Sequence, residues 1–167
     1  MVRIITDSAA DFEPRELEKW NIACIPISVL LGEREYQENV NLSKEQFYGL
    51  LAGGEYPKTS QPSPQLLLDL FEEAKEAGDE ALYICISGAI SGTYQTACAT
   101  RELAECDDCY VFDSKNATGG LRLSSTSFNT WTSKAVLTIY AMENVLGLEL
   151  PEGMVQETIN WGHVSAR

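Results

Sequence analysis

EALYICISGAISGTYQ, residues 80–95, is the stretch whose reading decides the fold. Its first half, residues 80–87, is a nearly continuous run of apolar and β-branched side chains, the pattern of a strand buried on both faces. Gly88, Ser91 and Gly92 then break the run, and residues 93–104 take up helical spacing. Strand, glycine-serine loop and helix in that order make the first part of a parallel crossover unit. A helix start presents unpaired N–H groups and a partial positive charge; glycine there admits an anion and hydroxyls add donors. Ser91, Gly92 and Thr93 meet that description. The segment has neither G-x-x-x-x-G-K-[ST] nor G-x-G-x-x-G, which disfavours polyphosphate. The plainer alternative is that Ser91 caps a helix and the glycines permit a tight turn.

Outward from this unit the pattern repeats. Residues 2–6 form a short buried strand that stops at Asp7-Ser8, and residues 109–112 form another that stops at Asp113-Ser114. Residues 22–31 read as one further strand, with Pro26 marking an edge or a bulge. Residues 32–35 are a turn. Helices are expected over residues 15–20, with Asp11 as capping residue and Pro14 in the first turn, and over 44–52, with Ser43 as cap and Gln46 completing a capping box. A third covers 64–77, with Ser63 as cap, Leu67, Leu70, Phe71 and Ala74 on its dry face, and Gly78 at its end. Residues 58–64, KTSQPSP, are expected to be irregular because two prolines lie two residues apart.

Apolar strands alternating with helices predict an α/β fold, a parallel sheet with helices on both faces. Ligands in such sheets bind beyond the carboxyl ends of the strands. That places Asp7, Ser8, the 87–95 loop, Asp113 and Ser114 on one rim. The two aspartates suit metal ligation or acid–base work, or they bond loop amides at strand ends. Thr59 and Ser60 precede the next cap, so their hydroxyls are free to face the same rim. Two hydroxyls with nearby N–H groups suffice to hold a carboxylate without lysine or arginine. No base is evident beside either hydroxyl, which points to binding rather than catalysis.

Composition narrows the classes. The chain of 167 residues carries 25 acidic against 12 basic residues, a formal charge of −13, which repels nucleic acid and anionic headgroups. No run approaches the roughly 20 apolar residues of a membrane span, and the first residues do not resemble a signal peptide. A cytoplasmic protein is expected, with its five cysteines reduced. Cys106 and Cys109 have C-x-x-C spacing but lack a second pair, and their acidic neighbours disfavour thiolates, so no metal is expected. A serine hydrolase using Ser91 with Asp7 or Asp113 and His163, the sole histidine, is the enzymatic alternative; G-x-S-x-G is absent.

Four segments taken together, ITDSAAD (residues 5–11), KTSQPSP (58–64), ISGAISGTYQ (86–95) and VFDSKNATGG (111–120), resemble in order and spacing the DegV family of bacterial fatty-acid-binding proteins. The resemblance covers roughly residues 1–123. It implies a carrier, not an enzyme, that binds one long-chain fatty acid without a cofactor and presents its carboxyl group to a fatty acid kinase for acyl-phosphate formation. It maps the carboxylate contacts to Thr59 and Ser91, with Ser60 and Gly92 as additional contacts. Residues 124–167 do not resemble the family, whose members continue into a second domain covering the acyl chain. The expectation is therefore a lipid-binding domain over 1–123 and a divergent tail, frameshifted or truncated, in which residues 135–150 fit a helix or two strands. A groove lacking the second domain invites self-association, and a remnant that binds no ligand is the remaining alternative.

Overall fold

The structure, a computed structural model, describes residues 1–130 of the chain. The expectations for residues 135–150 and for His163 lie outside the described residues. Four parallel strands form the central sheet in the order β2-β1-β6-β7: β1 is Val2–Asp7, β2 Ile22–Ile25, β6 Glu80–Cys85 and β7 Cys109–Asp113. Because successive residues of a strand face opposite sides, Ile5, Ala81, Tyr83 and Cys85 pack against α3 (Pro64–Ala77) and α4 (Thr93–Ala104). Ile4, Leu82 and Ile84 pack on the other side against α1 (Pro14–Trp20) and α5 (Thr118–Thr130). Helices therefore cover both faces of the sheet. The largest side chains of the core, Tyr83 and Phe71, are fully buried, each stabilising the fold by about 1.5–3 kcal/mol. Helix α5 spans positions 123 and 124, burying Leu121 and Phe128, and Phe128 meets Phe112 edge-on at 5.1 Å.

A second, antiparallel sheet, β4-β3-β5, lies outside this core: β3 is Ser28–Leu31, β4 Arg34–Gln37 and β5 Pro57–Ser60. It corrects three expectations. Residues 22–31 are two strands in different sheets, because the stretch around Pro26 lets the chain leave the parallel sheet after Ile25 and enter the small one at Ser28. The turn after β3 is only Gly32-Glu33, since Leu31 pairs with Arg34; Gly32, at φ +59°, gives the mirror-image turn that two-residue hairpins need. The third concerns KTSQPSP, whose first residues form an edge strand paired to β3, with Val29 opposite Thr59 and Ser28 opposite Ser60. Pro57 opens that strand and Pro62 and Pro64 lie beyond it, so neither removes a ladder hydrogen bond. Val29, Leu31 and Leu42 make the small sheet's own core, with Phe47 and Leu50 of α2 (Lys44–Ala52) against them.

The helix ends follow local chemistry. Ser43 and Gln46 form the expected capping box of α2. The cap of α1 is Glu13, reciprocally bonded with Glu16, and not Asp11, which sits left-handed at φ +56°. Ser63 holds the cap position of α3 without donating or accepting a side-chain cap bond. Residues 86 and 87 leave the strand early, because Ser87 N–H turns to the Asn116 carbonyl. Cys106 and Cys109 are joined by a disulfide across the turn from α4 to β7, against the expectation of five reduced thiols. The left-handed Glu105 that ends α4 (φ +47°) brings the two residues together, with Cα atoms 5.3 Å apart. Cys24, Cys85 and Cys98 are free.

Candidate functional site

The carboxyl ends of β1, β6 and β7 lie side by side, and the two aspartates that end β1 and β7 anchor the loop that follows β6. Asp7 accepts from Ile86 N–H at 2.8 Å, from Ala9 N–H at 3.1 Å and from the Tyr83 hydroxyl at 3.3 Å. Asp113 accepts from Gly88 N–H at 3.1 Å and from Lys115 N–H at 2.9 Å. Of the readings open for this pair, the hydrogen bonds made are those to loop amides, and among the described residues no cluster of three or more metal-ligating side chains occurs. Burial pushes the Asp7 carboxyl up to about 6 against the pull of its three donors. The half-buried Cys24 thiol, pushed up to about 12 by loss of solvent and by the nearby charges of Asp7 and Glu38, stays neutral.

The serines beside the aspartates are also occupied. Ser8 donates to Glu38 Oε2 at 2.6 Å and accepts from Ile27 N–H at 2.9 Å, tying β1 to the small sheet. Ser114 donates to the Asn116 carbonyl and accepts from Asn116 N–H, both at 3.1 Å. These four residues hold the rim together from beneath.

Above them two hydroxyl-bearing segments face one another across a cleft of about 640 Å³. One is the end of β5, with Thr59 and Ser60 exposed; the other is the turn into α4, with Ser91, Gly92 and Thr93. Ser91 Oγ lies 2.8 Å from Thr93 Oγ1 and accepts from Thr93 N–H at 3.3 Å. The hydroxyl of Ser91 thus does part of a cap's work while lining the cleft, and among the described residues its hydrogen-bond partner is Thr93. Gly92 is the cap residue of α4.

Two residues that the sequence did not single out complete the geometry. Gln61 lies over Gly92, where a Cβ would come within 2.3 Å of its amide nitrogen, and accepts from Thr96 Oγ1 at 2.5 Å. It fastens the β5 end to the start of α4 and so sets the distance across the cleft. A glutamine inside KTSQPSP carries no signal of this, because the partner glycine is thirty-one positions away. Glu38 is the second. It lines an adjoining cavity of about 460 Å³ whose walls include Val29, Leu42, Phe47 and Tyr48. The two cavities share Ile27, Thr59 and Ile86, so a polar cleft continues into an apolar groove. No helix among the described residues is long and apolar enough to cross a membrane.

Residues 1–134 match the family described as "Uncharacterised protein, DegV family". A DegV domain-containing protein of Halalkalibacterium halodurans is 38% identical over 115 residues, which are 68% of this chain and 41% of the relative. Among solved structures, a stearic-acid-binding protein of Eubacterium ventriosum superposes with a TM-score of 0.70 at 25% identity, over 98% of this chain and 52% of its own. DegV of Bacillus subtilis, described as a fatty acid binding protein, superposes with a TM-score of 0.67 at 29% identity, over 97% of this chain and 54% of its own. The chain spans less than half of the curated relative and about half of each solved protein. With the match running through every strand and helix described, the chain belongs to the DegV family.

Proposed function

We propose that this chain is a non-catalytic carrier that binds one long-chain fatty acid, holding its carboxylate between Thr59 and Ser91. Ser60 and the Gly92 N–H add further donors. The observation that carries this reading is the continuity of the two cavities: a cleft of hydroxyls and a helix start passes, through Ile27, Thr59 and Ile86, into a groove whose walls include Val29, Leu42, Phe47 and Tyr48. A carboxylate needs the first and an acyl chain the second. Each methylene removed from water contributes about 0.8 kcal/mol, so the groove supplies affinity and the clasp supplies orientation.

Held this way, the carboxyl group lies at the open rim, where a fatty acid kinase can transfer a phosphoryl group to one of its oxygens. Ile90, 67% exposed beside Ser91, offers such a partner an apolar contact. The same open groove favours self-association, which a concentration-dependent elution volume would report. The Ser91 hydroxyl is engaged with Thr93 Oγ1 at 2.8 Å, which suits a binding group, and a cytoplasmic location fits a carrier of free acids.

Native mass spectrometry of the protein purified from bacteria tests the reading. A retained mass of one long-chain acid is expected, and its loss in a Thr59→Ala, Ser91→Ala double variant that still folds. A ligand-free protein whose melting temperature does not rise on adding oleate contradicts it.

A further inference from the structure

Resting on the carrier reading, the structure assigns a narrower ligand class: we propose that Glu38 makes the groove selective for long-chain acids that bear a hydroxyl near the middle of the chain. Glu38 lines the cavity with the apolar Ile27, Val29, Leu42 and Phe47, and with Asp11, Asn39, Ser43 and Lys44. Its N–H bonds to the Ile27 carbonyl at 3.0 Å, extending the β3–β4 pairing by one step, and it lies two residues from Tyr36, which pairs with Val29, which in turn pairs with Thr59. Paired residues and residues two apart share a sheet face, so Glu38 and Thr59 look into the same groove from the two outer strands. Two strand spacings, with an offset of two residues along the strand, put their backbones about 12 Å apart. An acid whose carboxyl group sits at Thr59 therefore passes Glu38 with its middle carbons.

The side chain is poised to accept a hydrogen bond. Ser8 engages only Oε2, and because no buried side-chain oxygen among the described residues lacks a partner, Oε1 is reached by solvent. Lys44, the cation lining this groove, is held by Asp11 at 2.9 Å and Glu13 at 2.6 Å and does not neutralise Glu38. A plain acyl chain laid over Oε1 strips its water and returns nothing, whereas a hydroxyl replaces the lost hydrogen bond. Sites with a buried hydrogen-bonding group discriminate strongly against ligands that lack its partner.

Calorimetric titration of the full chain with stearate and with stearate hydroxylated on its tenth carbon tests this. The hydroxylated acid should bind about tenfold more tightly or better. The preference should vanish in Glu38→Leu and shrink in Glu38→Gln, which keeps an acceptor for Ser8 and so guards against loss of fold. Equal affinity of the two acids for the unaltered protein overturns the proposal and leaves the carrier reading standing. A preference that persists undiminished in either variant also overturns it. Failure of both acids to bind overturns the carrier reading and this proposal together.

Discussion

Gly92→Ala tests whether the two halves of the proposed carboxylate clasp are tied together by Gln61. The backbone at Gly92 (φ −70°, ψ 4°) suits any residue, so the substitution introduces no conformational strain of its own. Its effect is steric: the new Cβ would stand 2.3 Å from Gln61 Nε2 and 3.3 Å from its Cδ. The end of a flexible side chain gives way, and in doing so gives up its bond to Thr96. An exposed neutral hydrogen bond of this kind contributes about 1 kcal/mol, which for a domain of this size is roughly 3 °C of melting temperature. Ligand affinity should suffer more, because release of Gln61 frees Thr59 and Ser60 from their register with Ser91; a loss of about tenfold for stearate, or roughly 1.4 kcal/mol, is expected. The assay is a double-mutant cycle of melting temperature and binding with Gln61→Ala. If Gly92→Ala acts through Gln61, it costs little more once Gln61 is already alanine. Additive losses in the cycle, or full affinity in Gly92→Ala, would refute the reasoning.

Two further outcomes follow from the same geometry. Lifting the Asp7 carboxyl from its ordinary 3.8 to about 6 means that the folded state holds this proton more tightly than the unfolded chain. Stability from this group is therefore present below pH 4 and lost as pH rises to about 6, by about 3 kcal/mol; the stability of the unaltered protein relative to Asp7→Asn should fall over that interval, and a difference that stays flat contradicts the burial of the charge. Reduction of the Cys106–Cys109 bridge, or Cys106→Ser, should cost about 2 kcal/mol by the chain entropy of so short a loop, read as a lower denaturation midpoint; an unchanged midpoint in reductant shows that the bridge contributes nothing to the folded state.

Much of the fold was legible because its strongest elements advertise themselves locally. The run at residues 80–85 is apolar on both faces, the Pro64–Ala77 helix has a proline at its start, a regular dry stripe and a glycine at its end, and the Ser43–Gln46 box is a purely local pair. The small antiparallel sheet was not legible. Its strands are four residues each, and the edge strand β5 opens with a proline and pairs with β3 residues about thirty positions away. Ionic contacts across the fold were hidden for the same reason, such as Arg122 with Glu16 or Lys44 with Glu13. Ser91 and Gly92 stand out in the sequence as candidates because a helix start after a buried strand has a known chemistry, and Thr59 because its hydroxyl lacks a routine task; the structure places all three along one cleft. Which hydroxyl faces which depends on Gln61 and Gly92 meeting in space, and whether Asp7 and Asp113 act on a ligand or on the loop depends on where their oxygens point. Neither is encoded in any single stretch.

The proposed carboxylate clasp is tested most directly by nuclear magnetic resonance of stearate labelled at its carboxyl carbon. Bound to the unaltered chain, the carboxyl signal should move away from its position in water, and it should move again in Thr59→Ala and in Ser91→Ala, since each removes a donor to that group. A bound signal that is the same in the unaltered protein and in both variants would place the carboxylate elsewhere and contradict the account.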